Sequence, residues 1–391
     1  MRKALSLLTV SAMAVSLLAG CGSSSTPAAT TAAATTAAAT TAATEAPKEE
    51  KKEEEKKEET TAAATEAATE AAKEAAATAG GDLSDKKVGV CIYQFSDNFM
   101  TLFRTELASY LESLGFKAEN ISITDGANDQ ATQTNQIQNF ITDGVDVLII
   151  NPVNSSSAAT ITDMVTAAGI PLVYINREPD ESEEKRWADE KMNVCYVGCD
   201  ARQSGTMQGE MIVDLGMDKI DMNGNGKVDY IMIEGDPENV DAQYRTEFSV
   251  KALTDAGLEV NELDDQVGMW QQEQAQQLVA NSLAKNGNDI EVVFCNNDAM
   301  ALGALQAIQA AGRTVGQDIY LVGVDALSEA LEDVLAGTMT GTVFNDHIAQ
   351  SHGAADAAVN FINGVGNDYY IGCDYVKVTT ENAQSVLDSL S

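Results

Sequence analysis

Short apolar runs alternate with longer amphipathic segments from about residue 85 onward. The apolar runs are rich in β-branched residues, which is typical of strands buried on both faces. The segments between them, such as 100–114 and 274–284, carry apolar residues at helical spacing. The predicted strands are VGVCIY (88–93), DVLIINP (146–152), PLVYIN (171–176), NVCYVG (193–198), DYIMIEG (229–235), EVVFCNN (291–297), IYLVGVD (319–325) and GTVFND (341–346). Strand–helix alternation predicts an α/β fold with parallel sheets covered by helices on both faces.

The number of predicted strands indicates more than one sheet. So many strands do not fit comfortably into a single open sheet, and we therefore expect two α/β lobes. No G-x-G-x-x-G and no Walker A sequence follows any of these strands. Nucleotide-binding folds thus lack their best sequence signal here.

The first 84 residues contain nothing that could form a core. Arg2 and Lys3 precede an apolar stretch, 4–18, that is too short to span a membrane comfortably. The following Leu-Ala-Gly-Cys, which ends at Cys21, resembles a bacterial lipobox. Residues 1–21 are therefore interpreted as a lipoprotein signal peptide with lipidation of Cys21; an ordinary cleaved signal is the alternative. This interpretation predicts an extracytoplasmic protein, lipid-anchored to the outer face of the cell membrane.

Residues 22–84 consist of Ala/Thr repeats around the charged block KEEKKEEEKKEE. Such a composition cannot supply a core, and it predicts a low-complexity tether rather than a domain. The whole chain has a formal net charge of −36 at pH 7 and no basic stripe. Nucleic acid is excluded as a partner, because binding to it requires positive charge. No second hydrophobic span follows the signal segment.

The cysteines give no sign of a disulfide framework or a zinc site. Cys195 and Cys199 share one predicted strand, which places them ~13 Å apart, too far for a disulfide. The odd number of cysteines after Cys21, and the absence of any CxxC, favour buried free thiols. Besides Cys21 the cysteines are Cys91, Cys195, Cys199, Cys295 and Cys373.

Polar and aromatic residues cluster just after the predicted strands. In parallel α/β sheets, ligands bind outside the carboxyl ends of the strands, so these residues should converge on one crevice. Carboxylates, amides and guanidinium groups can bind hydroxyls, and aromatic rings can cover C–H faces; the set suits a neutral polyhydroxylated ring. Helix capping by Asp97 or Asn297, and a core position for Trp270, are the alternatives. The residues are Tyr93, Asp97-Asn98-Phe99, Asn176-Arg177, Asp241, Arg245, Trp270, Asn297-Asp298, Asp325 and Asn345-Asp346.

Several of these motifs together resemble a known family. VGVCIYQFSDNFM, VYINREP, MW, EVVFCNNDAMALGA, VGVDALxEAL and GTVFND are similar to the galactose/glucose-binding proteins of the type I periplasmic sugar-binding family, in order over about 85–391. The resemblance implies two Rossmann-like lobes, joined by a three-crossover hinge, that close on a sugar. It places the amino-terminal lobe at 85–198 plus 347–372 and the carboxyl-terminal lobe at 199–346 plus 373–391.

The resemblance also implies roles for individual residues. Phe99 and Trp270 would sandwich the pyranose ring, and Asp97 would accept hydroxyls where galactose and glucose differ. Two positions depart from the family pattern: Asn239 replaces a ligand-binding histidine, and Arg177 replaces a lysine. The departure at Asn239 leaves the exact sugar open. The remaining residues implied at the sugar are Tyr93, Asn176, Asp241, Arg245, Asn297, Asp325 and Asn345.

The stretch DMNGNGKVD, from Asp221 to Asp229, is written like the first nine positions of an EF-hand calcium loop. The twelfth position, where such a loop needs a bidentate glutamate, is Met232. The family resemblance implies that Glu291 supplies those oxygens, so that a structural Ca²⁺ is bound; a polar turn without metal is the alternative. The implied ligands are Asp221, Asn223, Asn225, the carbonyl of Lys227, Asp229 and Glu291.

These observations predict a monomeric lipoprotein that captures galactose or glucose and delivers it to the permease of an ABC importer. The open alternatives are a sensor that docks on a chemotaxis or signalling receptor, and a binder of another monosaccharide. A glycosidase is disfavoured, because a closed shell of hydrogen-bonding carboxylates suits binding better than acid–base catalysis. His347 and His352 are not spaced for a metal pair on a helix and receive no role.

Overall fold

The computed structural model of the protein describes residues 81–390. The signal segment, Cys21 and tether residues 22–80 lie outside the described residues, so their predicted roles stay predictions. Within 81–390, no helix has the length and apolar character needed to cross a membrane.

Strands and helices alternate along nearly the whole described chain, because apolar β-branched runs are separated by amphipathic ones. Three short 3₁₀ turns (118–120, 155–157 and 287–289) add to them. The elements are β1 (Val88–Ile92), α1 (Asn98–Ser113), β2 (Ile121–Asp125), α2 (Gln130–Asp143), β3 (Val147–Ile150), α3 (Ala158–Ala167), β4 (Leu172–Ile175), α4 (Glu181–Glu190), β5 (Val194–Cys199), α5 (Ala201–Val213), α6 (Met217–Ile220), β6 (Val228–Glu234), α7 (Val240–Asp255), β7 (Val260–Val267), α8 (Gln272–Asn286), β8 (Val292–Cys295), α9 (Asp298–Ala310), β9 (Tyr320–Val322), α10 (Ser328–Ala336), β10 (Thr342–Phe344), α11 (His347–Ile362), β11 (Tyr370–Cys373), β12 (Val376–Val378) and α12 (Ala383–Ser389).

The first sheet has six parallel strands in the order β2-β1-β3-β4-β5-β11. Successive side chains of a strand point to opposite faces. Val90 and Ile92 therefore pack with α1 and α11 on one face, whereas Cys91 packs with α2, α3 and α4 on the other. The sheet and these helices form the amino-terminal lobe.

The second sheet has four parallel strands in the order β7-β6-β8-β9. Parallel bridges join the end of β9 to β10, and β12 pairs antiparallel with β10. Ile231 and Ile233 pack with α8 and α9, while Tyr230 and Met232 face the opposite core with α5. These elements form the carboxyl-terminal lobe, and the predicted α/β fold with two lobes is confirmed.

The chain passes between the two lobes three times. It leaves the first sheet at the end of β5, returns into α11 after β10, and leaves again after β11. A glycine on α5 allows the helix that follows the first passage to pack closely on α7. A Cβ at Gly209 would lie 2.3 Å from the carbonyl oxygen of Ser249 and 2.5 Å from Cβ of Ala252. Any larger residue at this position would push the two helices apart.

The sequence pattern missed four strands, namely β2, β7, β11 and β12. β2 and β7 are edge strands whose side chains are mostly half-buried, and β7 carries five polar or charged residues, as VNELDDQV shows. Edge strands face solvent along one side and need no continuous apolar run. The periodicity of buried strands therefore does not detect them.

Candidate functional site

A small cavity lies at the carboxyl ends of the strands of both sheets. Its empty volume, which includes space open to solvent, is about 340 Å³. All of the side chains implied at the sugar line it, and Met100 and Arg177 complete the wall. The lining residues are Tyr93, Asp97, Phe99, Met100, Asn176, Arg177, Asn239, Asp241, Arg245, Trp270, Asn297, Asp325 and Asn345.

The wall from the amino-terminal lobe is built around Asp97. Its Oδ1 accepts a hydrogen bond from the backbone N–H of Met100 at 2.7 Å and so caps α1, while Oδ2 accepts one from the Tyr93 hydroxyl at 2.6 Å. The guanidinium of Arg177 lies 3.6 Å from the centre of the Tyr93 ring. Asp97 thus caps the helix and also lies in the cavity wall, because its two oxygens have different neighbours.

Arg177 also reaches across to the other lobe. Its Nη1 donates to the carbonyl of Val153 and lies 3.5 Å from Oδ2 of Asp236, which follows β6. Both side chains are buried. The sequence predicts Arg177 at the crevice, because it follows a buried strand, but it does not predict Asp236 as its partner. A guanidinium holds such a two-sided contact better than an ammonium, since its donors are fixed in a planar fork.

The wall from the carboxyl-terminal lobe is built around Arg245. This buried guanidinium donates to the carbonyl of Asn296 at 2.8 Å and to the Tyr375 hydroxyl at 3.1 Å. It lies 3.9 Å from Oδ2 of Asp241 and 4.0 Å from Oδ1 of Asp325. One positive charge therefore stands between two buried carboxylates, and it is the main group that stabilises their charged forms.

The protonation of these carboxyls reflects their burial. Burial raises the pKa of Asp241 to about 6, although Arg245 and Arg177 act in the opposite direction. Burial also raises the pKa of Asp325 well above its usual value, again opposed by Arg245. The charge of the cavity consequently changes in mildly acidic solution.

Three residues of the wall have backbone conformations that L-amino acids rarely adopt. Their φ angles are 61° at Asn176, 64° at Trp270 and 123° at Asp325. The Trp270 ring lies against Gly235, where a Cβ would come within 2.1 Å of the indole. Strained residues of this kind persist only where the surrounding structure fixes them, and they concentrate at functional sites.

Three buried polar atoms of the wall have no hydrogen-bond partner: Oδ1 of Asp241, Nε of Arg245 and Nε1 of Trp270. An unsatisfied buried polar group costs about 1–3 kcal/mol. One of these atoms is an acceptor and two are donors, and a hydroxyl can serve either kind. The aromatic rings of Phe99 and Trp270 add apolar faces to the same cavity.

Two asparagines of the wall also cap helices. The side chain of Asn239 accepts from the backbone N–H of Asp241 at 3.0 Å at the start of α7. The side chain of Asn297 accepts from Met300 at 3.0 Å at the start of α9. In both cases the oxygen accepts a backbone hydrogen bond, so the amide N–H groups are the donors that these wall residues can offer to a ligand.

A cleft between two α/β lobes, lined by unpartnered polar atoms and aromatic faces, defines a binding protein for small polar solutes. The sequence profile of the periplasmic binding protein domain matches residues 88–387. The chain belongs to this family, in its type I sugar-binding branch, as the resemblance implied. Proteins of this kind bind substrates outside the cytoplasm and are not enzymes, which confirms the expectation of a non-catalytic protein.

Named relatives agree with this assignment. The chain is 33% identical over 284 residues to the D-galactose/methyl-galactoside binding periplasmic protein of Haemophilus influenzae, covering 72% of this chain and 83% of the relative. It is 30% identical over 257 residues to the D-xylose-binding periplasmic protein of Escherichia coli, covering 65% and 71%. An ABC transporter solute binding protein from Bacillus halodurans with bound myo-inositol superposes with a TM-score of 0.68 at 28% identity, covering 79% of this chain and 99% of that one.

The predicted metal ligands lie together at the start of β6, the end of the strand that is remote from the cleft. Both oxygens of Glu291 face the loop: Oε1 accepts from the backbone N–H groups of Met222 (2.7 Å) and Asn223 (3.3 Å), and Oε2 accepts from that of Asp229 (3.1 Å). Asp221 accepts from the backbone of Asn225 and Gly226 at 2.9 Å. Glu291 is fully buried, and this burial raises its pKa.

The amides of the loop point their nitrogens at Asp229. Nδ2 of Asn223 and Asn225 lie 2.5 and 2.6 Å from its Oδ2, and Nδ2 of Asn261 lies 2.5 Å from its Oδ1. Within residues 81–390 no three or more His, Cys, Asp or Glu side chains form a preformed metal cluster. The donors nevertheless fit calcium in kind, since rotation of each asparagine amide by half a turn replaces nitrogen with oxygen.

The cysteines and histidines of the described part take no role in the cleft wall. Cys91, Cys195, Cys199 and Cys295 are buried, Cys373 is half-buried, and all five are free. The ring of His347 contacts Phe99 edge-on, with 6.2 Å between centres, and burial lowers its pKa. His352 stacks on Tyr110 and bonds Glu106 at 2.7 Å.

Proposed function

We propose that the cleft binds a neutral hexose, galactose or glucose, between the rings of Phe99 and Trp270. The observation that carries this proposal is the set of three buried, unpartnered polar atoms on Asp241, Arg245 and Trp270. Sugar hydroxyls would satisfy them, and the pyranose C–H faces would cover the aromatic rings. The galactose-binding name of one relative and the myo-inositol bound to a structural neighbour support a six-membered polyol.

Asp97 is the residue best placed to tolerate both hexoses. A carboxylate accepts from a hydroxyl in either orientation, and Oδ2 of Asp97 already accepts from Tyr93 while remaining in the cavity wall. Asn239 has a shorter reach than the family's histidine, so contacts at that end of the sugar would be weaker than in the family. This difference is expected to lower affinity without excluding either epimer.

Isothermal titration of the full chain with galactose, glucose, xylose and myo-inositol tests the choice of ligand. We expect heat with at least one of the two hexoses and at least tenfold weaker binding of xylose. Binding of xylose or myo-inositol, with no binding of either hexose, would contradict the hexose proposal and leave the family assignment unchanged.

The bound sugar would hold the two lobes together. Phe99 and Asp97 belong to one lobe and Trp270, Asp241 and Arg245 to the other, so a ligand that contacts both favours the closed arrangement by its differential affinity. The closed form would then deliver the sugar to the permease of an ABC importer, as expected for a family whose structural neighbour is an ABC transporter component. A sensor that docks on a signalling receptor would use the same closed form.

Crosslinking of the full chain to host membranes, with and without galactose, distinguishes these two uses. Sugar-dependent crosslinks to an ABC permease support import, and sugar-dependent crosslinks to a chemotaxis or signalling receptor support the sensor. Crosslinks that ignore sugar would contradict both.

We also propose that the Asp221–Asp229 loop and Glu291 bind a structural Ca²⁺. Three carboxylates, two asparagine side chains and the Lys227 carbonyl form an oxygen-rich set of the kind that calcium prefers. Glu291 immediately precedes β8 and the loop runs into the start of β6, and these two strands are neighbours in the sheet. A bound ion would therefore join two elements of one lobe, away from the cleft.

Thermal unfolding with calcium and with EDTA tests the metal proposal. The wild type should lose about 5 °C in Tm when calcium is removed, because a ligand bound only to the native state stabilises it. Glu291→Gln should abolish this response. Glu259→Gln, an exposed carboxylate beside the loop, is the matched control and should keep it. A Glu291→Gln protein whose Tm still rises with calcium would refute the assignment.

We further propose that Cys21 carries the membrane anchor. The lipobox-like sequence supports lipidation, and the tether that follows would hold the folded part near the membrane surface. Cys21→Ala expressed in a single-membrane bacterium should release the protein into the medium. Retention of this variant at the membrane would contradict the anchor.

A further inference from the structure

Two cysteines lie side by side where the chain passes between the lobes. β5 and β11 are adjacent parallel strands, and their register pairs Cys199 directly with Cys373. Each is the last residue of its strand, so the pair sits on two of the three passages between the lobes. Neighbouring strands are about 4.7–4.9 Å apart, which is within the Cα–Cα range of a disulfide.

Both side chains point to the same side of the sheet. Cys199 is a buried member of the core beside α5, and Cys373 packs against that same core. Burial raises the pKa of the Cys199 thiol well above its usual range, and the adjacent Cys373 thiol raises it further. Since the two residues are paired in register and pack against the same core, their side chains are neighbours.

Only one of the two thiols is accessible. Cys373 is half-buried and lines an open surface cavity with an empty volume of about 1050 Å³, whereas Cys199 is 3% exposed. The cavity is strongly acidic, with a single guanidinium, that of Arg202, which is bound to Asp200 at 3.0 Å. Its carboxylates are Glu178, Glu181, Glu184, Asp200 and Asp374. Burial raises the pKa of Glu178 to about 8 and that of Glu184 to about 7, so all five carboxylates are charged only above about pH 8, where a small cationic reagent would be concentrated beside Cys373.

We propose that Cys199 and Cys373 are a redox-active pair that closes into a disulfide on reaction with a small-molecule disulfide. The thiolate of Cys373 attacks one sulfur of the reagent, which forms a mixed disulfide and releases one thiol. The thiolate of Cys199 then attacks Sγ of Cys373, which forms the Cys199–Cys373 bond and releases the second thiol. Two protein thiols are oxidised, the reagent is reduced to two thiols, and the two protein protons pass to the leaving thiolates.

The disulfide would join two of the inter-lobe passages. The family acts outside the cytoplasm, where disulfides form and persist. Because the cysteines are far apart in sequence, closing the bond restricts the unfolded chain strongly. We expect the oxidised protein to melt about 5 °C higher than the reduced protein.

Peptide mapping of the full chain tests the proposal. The reduced protein is treated with cystamine, denatured, alkylated and digested. We expect a linked peptide pair containing Cys199 and Cys373, with Cys91, Cys195 and Cys295 fully alkylated. A cystamine adduct that persists on Cys373 while Cys199 is still alkylated would overturn the proposal, as would the absence of any reaction at the pair.

Variants and a second reagent sharpen this test. Cys199→Ser should trap the adduct on Cys373, and Cys373→Ser should leave Cys199 unmodified; either variant suffices if the other fails to fold. Cys195→Ser, on the same strand as Cys199, should leave the linkage unchanged. Dicationic cystamine should react at least tenfold faster than anionic oxidised glutathione at low salt, and equal rates would overturn access through the acidic cavity.

Discussion

The cleft and the Asp221–Asp229 loop are both rich in oxygen ligands, but their polar atoms differ in whether they have hydrogen-bond partners within the protein. In the loop, Asp221, Asp229 and Glu291 all accept hydrogen bonds from the loop itself or its neighbours. In the cleft, polar atoms of Asp241 and Arg245 are buried without a partner. The carboxylates of the loop have hydrogen-bond partners within the protein, whereas the cleft leaves buried polar atoms without one.

Because of this difference, the cleft and the loop should contribute to different properties of the protein. Unpartnered buried atoms lower the stability of the sugar-free protein, and a ligand that satisfies them recovers the cost as affinity. A loop that ties β6 to β8 contributes to the fold whether or not a sugar is bound. Changes in the cleft should therefore act mainly on affinity, and changes in the loop mainly on thermal stability.

Removal of the Trp270 ring should give the largest effect on the cleft. Trp270→Ala should weaken hexose binding about 100-fold, or about 3 kcal/mol, because one apolar cover and one buried N–H donor are lost together. Titration calorimetry of the variant measures this loss. Tyr93→Phe is the control: its hydroxyl contacts Asp97 from within the wall, so a loss of less than about tenfold is expected. Equal losses in the two variants would show that the sandwich is misassigned.

Removal of calcium should lower thermal stability and leave hexose affinity nearly unchanged, which is the reverse of the effect expected for Trp270→Ala. Treatment with EDTA should lower Tm by about 5 °C and change hexose affinity less than about threefold, since Glu291 and the loop lie away from the cleft. Paired calorimetry, one scan for Tm and one titration for affinity, measures both on the same sample. A large loss of affinity with no change in Tm would reverse the assignment of the two sites.

Gly235→Ala should show whether binding depends on the position of the Trp270 ring and not only on its presence. A Cβ at this position would overlap the Trp270 indole at 2.1 Å, and the ring must shift. We expect about tenfold weaker hexose binding with Trp270 still present, a cost typical of overpacking. Gly353→Ala in α11 is the control, because its Cβ would meet side-chain carbons of Val197 at 3.2 Å and Ile371 at 4.0 Å and not the Trp270 ring. Unchanged affinity in Gly235→Ala would show that the position of the ring does not matter.

The sequence predicted the cleft better than it predicted the sheet edges. Residues after buried strands, such as Asp97 and Asn297, were found because parallel strands carry their ligand groups at one end. The edge strands β2 and β7 were missed, because their residues are only partly buried and lack a continuous apolar run. The fold class and the family were predictable, since both depend on the buried strands.

Contacts between distant segments could not be predicted from the pattern. Cys199 and Cys373 were expected only as separate free thiols, because nothing in the sequence places β11 beside β5. The same holds for Arg177 and Asp236, which follow strands in different lobes. Local periodicity reports which residues are buried, whereas strand order and lobe closure depend on the whole chain.

A change of pH should move hexose affinity and thermal stability in opposite directions. Several buried or half-buried carboxyls have raised pKa values: about 8 for Glu178, about 7 for Glu184, and about 6 for Asp241 and Asp298. The native state then binds more protons than the unfolded state between pH 8 and 5. The sugar-free protein should therefore become more stable as pH falls through this window, and differential scanning calorimetry should show a rising Tm.

Hexose affinity should fall over the same window. Protonation of Asp241 below about pH 6 weakens its attraction to Arg245 and removes a charged acceptor from the cavity wall, so binding at pH 5 should be about tenfold weaker than at pH 7. Asp241→Asn should bind weakly at both values with a flat pH profile, because an amide does not titrate. Affinity of the wild type that stays constant from pH 7 to 5 would show that Asp241 does not accept from the sugar, and the unpartnered Oδ1 would then be a strained structural atom rather than part of the binding site.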